Sequence, residues 1–334
     1  MSTTATPTHQ PLVVRSREGE RRVLLGDIII TTVGTEQTAG RFSLIGNAGP
    51  RGPRPIPMHY HQFEHEMFMP IRGRMQLWVD GVSRILGPGD FGSVPAGVVH
   101  AYHFLDIHNQ FLGYAMPGGF EAMFRITGQP TDAYVHPAEG FKGRPPVEAF
   151  KRAEVEMHMK YVDDPYVEAT EGPDDTLPGA CKPYYLKNGE GERRLLMSQL
   201  FTLIMRSEET DGQAAIFHAQ GPKGASFPTT RHVEASVGLW VLDGMLHVTL
   251  DGEEHLLVPG DFAYAPPGCA WSYRMGSHFT QLHAIVAPAG FEGFLSAAGE
   301  PYPYYVFPTY EVAPHDLDEL GAAAAGHGIA FIDR

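Results

Sequence analysis

The stretch HYHQFEHEMFMPIRG, residues 59–73, and its continuation GPGDFGSVPAGVVH, residues 87–100, decide how the chain is read. Taken as strand, His59 and His61 stand two apart and share one face. Glu66 follows after a gap long enough for a tight turn, which predicts it on the returning strand. The run from Gly73 to Asp90 brings the chain back, and Pro95-Ala96-Gly97 turns it into His100. Three imidazoles and a carboxylate on one face are a metal site by ligand type. Imidazole suits Zn, Cu, Fe and Ni, and the carboxylate extends the range towards Mn. A single histidine among the 17 present is more often a surface or hydrogen-bonded core residue, but this many ligand groups at one set of spacings point to chemistry. The expected ligands are His59, His61, Glu66 and His100.

Outward from that stretch, length and composition set the frame. A chain of 334 residues predicts two domains, each large enough to bury its own core. Its 38 Gly and 28 Pro are scattered rather than clustered, which suits an all-β protein of short strands joined by turns. A formal charge of −14 argues against a nucleic-acid partner, because phosphate binding rests on clustered Lys and Arg. Cys181 and Cys269 lie far apart and make no disulfide framework. The opening MSTTATPTHQPLVVRSREGERR has no apolar h-region, and no run reaches the length of a transmembrane helix. The expected setting is cytoplasmic, with no membrane partner.

The expected organisation is an N-terminal arm over 1–24, a first barrel over 25–135 that carries the metal site, a linker over 136–190, a second barrel over 191–300 and a tail over 301–334. VLLGDIIITTV, Val23 to Val33, is rich in β-branched residues and reads as one buried strand. Val147 to Tyr161 has apolar residues near helical spacing and reads as one amphipathic helix in the linker. Asp316 to Ala325, closed by Gly326, reads as a short helix in the tail, its four alanines suited to close packing.

The second half repeats the first. Adding 171 to the position carries Gly73 onto Gly244, Asp80-Gly81 onto Asp251-Gly252, Pro88-Gly89-Asp90-Phe91 onto Pro259-Gly260-Asp261-Phe262, and Pro95 and Gly97 onto Pro266 and Gly268. These are turn residues that either barrel needs whatever it binds. The ligands do not follow: His59 becomes Thr230, Glu66 becomes Val237, His100 becomes Trp271, and only His61 keeps its type, as His232. One imidazole does not hold a metal against water. The first barrel is expected to carry the chemistry, and the second to be a filled scaffold in which His232 is a satisfied polar residue.

The ligand stretch resembles the two cupin motifs. Glu66 follows His61 after four residues and precedes Gly73 after six; Gly89 is followed by five residues, Pro95, one residue, Gly97, two residues and His100. Six residues separate Gly52 from His59 where five is usual, and Phe104 stands where many cupins carry Asn. With HYHQ, GRMQLWVDG, ILGPGDFGSVP and PGGFE, the chain is similar to the bicupin quercetin 2,3-dioxygenases (flavonol 2,4-dioxygenases). That resemblance implies two double-stranded β-helix barrels with a partly helical linker. It also implies a dioxygenase that opens the heterocycle of a flavonol-like enol with O2 and releases carbon monoxide. In it Glu66 would be both ligand and catalytic base, taking the proton of the flavonol 3-hydroxyl.

The expected cofactor is one divalent transition metal per chain (Cu, Fe, Ni, Mn or Co, with Zn for chemistry without oxygen). The expected partners are a small aromatic or enol substrate and O2, and a homodimer is compatible with the sequence. An aromatic ligand wants a largely apolar pocket. By strand alternation Phe68 shares the face of Glu66, and Tyr102 and Phe104 share that of His100; Met58 and Met116 are further candidates, each competing with an ordinary place in the barrel core. His65, His103 and Glu64 have the wrong parity or fall in the turn, and are expected to face solvent. Two other classes stay open. One is a metal-dependent decarboxylase, hydrolase or isomerase, although a small diacid would want an Arg on the ligand strands. The other is a binding or storage protein, which has little need of a complete ligand set.

Overall fold

A computed structural model describes residues 10–136, 147–172, 176–308 and 315–332. The chain divides into two compact units, Arg17–Glu190 and Gly191–Arg334, the second taking in Met1–Ser16. Among the described residues each unit holds one eight-stranded and one five-stranded sheet, and every pairing given below is antiparallel.

In the Arg17–Glu190 unit the larger sheet runs Gln129–Pro130, Glu20–Leu24, Asp27–Val33, Ser43–Gly49, Asn109–Met116, His65–Arg72, Phe91–Val94, Tyr184–Leu186. The smaller runs Met159–Tyr161, His59–His61, His100–Phe104, Met75–Val79, Val82–Leu86. Phe68, Val94, Phe111 and Tyr185 from the first sheet pack against Met75, Leu77, Val79 and Phe104 from the second. Alternation along each strand sends one set of side chains into this shared core. Asp80-Gly81 closes the hairpin between Met75–Val79 and Val82–Leu86 with both residues at positive φ, as a two-residue primed turn demands.

The other unit repeats this strand order, with Phe262–Ala265, Ser236–Asp243 and Phe279–Ala287 in the places of Phe91–Val94, His65–Arg72 and Asn109–Met116. Its core is one continuous cluster that runs through Phe227, Val237, Trp271, Tyr273, Phe291 and Phe294.

Several local expectations change. Residues 12–14 of the expected arm are a strand paired with Phe262–Ala265, and the arm's last residues already belong to the strand Glu20–Leu24. Val23 to Val33 is not one strand but a hairpin. Leu25 and Gly26 both take positive φ, so Glu20–Leu24 pairs back onto Asp27–Val33 and Asp27 lies at the tip. The linker helix stops at Glu156. His158 at φ 48 breaks it, and Met159–Tyr161 is a strand on His59–His61.

The tail helix Leu317–Ala325 begins at Asp316, whose carboxylate accepts from the Asp318 and Glu319 N–H groups at 2.8 and 3.2 Å. It is followed by Ile329–Phe331, paired with Ser226–His232. Helix then strand therefore recurs in linker and tail, an extension of the repeat that residue identities do not reveal. Among the described residues no helix is long and apolar enough to cross a membrane.

Candidate metal centre

The His59–His61 strand lies between Met159–Tyr161 and His100–Phe104, with His59 paired directly to His100 on one side and to Tyr161 on the other. Glu66 comes from the other sheet, where it pairs with Ala115 and Val94. It is therefore not on a returning hairpin strand, as its spacing predicted, but faces the imidazoles across the barrel. The turn before His100 has Gly97 at φ 79, and the Val98 N–H donates to the Pro95 carbonyl at 3.2 Å. Gly97 in turn donates its N–H to the His61 carbonyl at 2.6 Å, tying the turn to the ligand strand. A left-handed third position is why glycine stands there.

One ligand atom from each of His59, His61, Glu66 and His100 lies within 4.8 Å of the others. That limit is close to twice a metal–ligand bond of roughly 2.0–2.2 Å. The His59 and His100 rings set Nδ1 against the carbonyls of Pro57 and Val98, at 2.9 and 3.0 Å, two residues back in each case. Nδ1–H donating to a backbone carbonyl leaves Nε2 as the coordinating nitrogen. His100 Nε2 is 2.9 Å and His61 Nε2 is 3.4 Å from Glu66 Oε2.

His61 is 1% exposed, yet neither ring nitrogen makes a hydrogen bond among the described residues. A buried imidazole with no such partner, beside two others and a carboxylate, fits a group that could hold a divalent metal ion. Burial pushes the Glu66 carboxyl up, but the charge of His61 and the hydrogen bond and charge of His100 outweigh it and hold the group well below the usual carboxylate range. Burial, reinforced by the other two imidazoles, holds His59 well below the usual histidine range and keeps it neutral, the form that binds metal.

Beside these four residues lies a cavity of about 100 Å3, with His59 and Glu66 in its wall and Ile29, Ile45, Phe68, Phe111 and Tyr161 among its apolar lining. A wider cavity of about 560 Å3 shares Leu25, Asp27, Ile56, Pro57, Tyr102, Phe150 and Tyr161 with it and adds Pro50, residues 52–55 and Phe104. Of the five expected pocket residues, Phe68 and Tyr102 line the inner cavity and Phe104 the outer one.

Met58 and Met116 line neither. Met58 has the opposite parity to His59 and packs with Trp78 and Ala101. Met116 is fully buried in its strand and lines neither cavity.

The expectation of solvent for His65, His103 and Glu64 is also corrected. His65 is buried with Nε2 2.7 Å from Ser93 Oγ, His103 Nε2 is 2.9 Å from the Gly52 carbonyl, and Glu64 is half-buried. Asp27, Asn47, Phe150, Met159 and Tyr161 line the cavity without any sequence signal pointing to them. In the second barrel Thr230, Val237 and Trp271 are buried, and Trp271 stacks on Phe227 at 5.2 Å. His232 is buried and held neutral, its pKa pushed down to about 4, but its Nε2 has no partner among the described residues, so it is not the satisfied core histidine expected.

Two repeated barrels, with one complete His3Glu group in the first and apolar filling in the second, define a bicupin. The cupin domain family matches residues 50–106 and again 217–286. A quercetin 2,3-dioxygenase of Bacillus subtilis (strain 168) is 30% identical over 89% of this chain and 88% of its own length. A quercetin 2,3-dioxygenase of Aspergillus japonicus is 23% identical over 90% and 96%. A solved salicylate 1,2-dioxygenase from Pseudaminobacter salicylatoxidans superposes with a TM-score of 0.55 at 13% identity, over 86% of this chain and 87% of that one, a likeness of fold alone. The chain belongs to the bicupin quercetin 2,3-dioxygenase family, a family of cupin dioxygenases.

Proposed function

We propose that this chain opens the oxygenated heterocycle of a flavonol-like enol with O2 and releases carbon monoxide, using the first barrel alone. The observation that carries the reading is the group of buried His59, His61 and His100 with part-buried Glu66 beside an apolar cavity, set against a second barrel filled by Trp271 and Val237. The metal these four residues would hold supplies a Lewis acid and a redox partner for dioxygen.

Glu66 takes the proton of the enol hydroxyl on its carboxylate. Held well below its usual range it is a weak base, so the transfer proceeds only where the site also makes the enol more acidic. His59 and His100, fixed by their carbonyl partners, hold their positions through the cycle. Phe68, Phe111 and Tyr161 bind the flat rings and keep water from the reacting carbons. Both atoms of O2 enter the organic product, so no reductant is consumed.

No Lys or Arg lines the inner cavity among the described residues, which weighs against decarboxylation of a small diacid there. The test is spectroscopic. Anaerobic, metal-loaded protein is expected to bind a flavonol and shift its absorption to that of the anion, and oxygen is expected to bleach the band. No shift and no bleaching across a panel of flavonols would favour the non-oxidative metal enzyme instead.

A further inference from the structure

We propose that Asp27, Asn47 and Tyr102 read a hydroxyl group on the aromatic substrate other than the enol that meets Glu66, so that this chain prefers polyhydroxylated substrates over bare aromatic enols. The proposal rests on the ring-opening reading above. Its starting point is Asn47, 2% exposed and set in the cavity wall between Ile29 and Phe111 on the neighbouring strands. Asn47 Nδ2 donates to Asp27 Oδ2 at 3.2 Å and to the Tyr102 hydroxyl oxygen. Its Oδ1 is buried with no hydrogen-bond partner among the described residues. A buried carbonyl oxygen left unpaired is costly and uncommon, and a donor on a bound molecule would relieve it. With its oxygen accepting from Asn47, the Tyr102 hydroxyl keeps its own proton to donate.

The position of Asp27 is built rather than incidental. A side chain on Gly49 would collide with Asp27 Oδ1, so the bare backbone there provides the seat for the carboxyl. Burial pushes the Asp27 carboxyl up to about 7 against the hydrogen bond from Asn47, which lets it offer a proton as well as an acceptor.

The second barrel shows the same positions without a reader. Tyr102 plus 171 is Tyr273. Asn47, paired with Ile29 and Phe111, corresponds to Ala219, paired with Phe201 and Leu282. Asp27, opposite Leu24, corresponds to Gln199, opposite Leu196. There Tyr273 donates to Gln199 Oε1 at 2.6 Å, Gln199 Nε2 donates to the Ser226 carbonyl at 3.0 Å, and Ala219 adds no polar atom. The amide is fully used in the filled barrel and has a capacity to spare only in the barrel with a cavity. Tyr102 stands two residues from His100 on one face, roughly 7 Å along the strand, so a molecule of two rings can meet Glu66 and the reader together.

The experiment titrates metal-loaded protein anaerobically with two probes that share the same enol: 3-hydroxyflavone, and quercetin, which adds hydroxyls on both outer rings. Wild-type protein is expected to bind quercetin at least about tenfold tighter. Asn47→Ala is expected to bring the ratio near unity, and Tyr102→Phe, which keeps the ring and removes the hydroxyl, to lower it and to serve if Asn47→Ala does not fold. Equal affinity of the wild type for both probes, or variants that weaken both probes by the same factor, would overturn the proposal and leave the ring-opening reading standing. Wild-type protein that binds neither probe would overturn both.

Discussion

In the proposed ring opening, Glu66 is the residue on which the chemistry turns. Glu66→Gln keeps an oxygen of similar shape but removes the charge and nearly all basicity, so turnover is expected to fall by ~10²–10⁴-fold. Metal content measured on the same sample separates a lost base from a lost ligand. Activity near wild type with metal retained would remove Glu66 as the base. Asp27 makes a prediction about stability. Its folded pKa is raised to about 7, so between about pH 4 and 7 the native state keeps a proton that the unfolded chain has released, and stability falls as pH rises through that window. Asp27→Asn removes this term. Relative to wild type the variant is expected to gain stability from pH 5 to pH 8, by up to ~2.6 kcal/mol and less where water reaches the half-buried carboxyl. Denaturation curves at the two pH values check it, and a constant difference would refute it. The grouping of His59, His61, Glu66 and His100 could be read in the sequence because their spacings are local and dense. Asp27 and Asn47 could not: each is a polar residue in a largely apolar strand, and only strand pairing brings them together.

At the scale of elements, legibility followed turn chemistry. Asp80-Gly81 and Pro95-Ala96-Gly97 announce their turns, and the structure has them. Leu25-Gly26 is a turn that its neighbours conceal, because leucine at φ 53 inside a β-branched run carries no turn signal. The helix expected to reach Tyr161 ends early because residues 159–161 gain more by pairing with the ligand strand, a long-range choice that helical spacing cannot show. In the second barrel Trp271 fills the space that His100 leaves open in the first. Trp271→Ala is expected to cost ~3–5 kcal/mol while metal per folded molecule stays unchanged. Loss of metal from the folded variant would contradict the division between scaffold and chemistry.

For the whole molecule, the repeat was legible through its glycines and prolines, which one offset carries from half to half. Its full extent was not, because the helix–strand pairs Val147–Glu156 with Met159–Tyr161 and Leu317–Ala325 with Ile329–Phe331 share a place in the fold but little sequence. Two barrels with one ligand set predict close to one equivalent of divalent metal per chain, lost on His59→Ala or His100→Ala. A value near two by metal analysis, or retention by both variants, would contradict a single centre. The most direct test of the central claim is the gas balance of turnover. Metal-loaded protein given a flavonol and a measured amount of O2, with no reductant, is expected to consume one O2 and release one CO for each substrate opened. Substrate loss without carbon monoxide, or turnover that proceeds without O2, would contradict it.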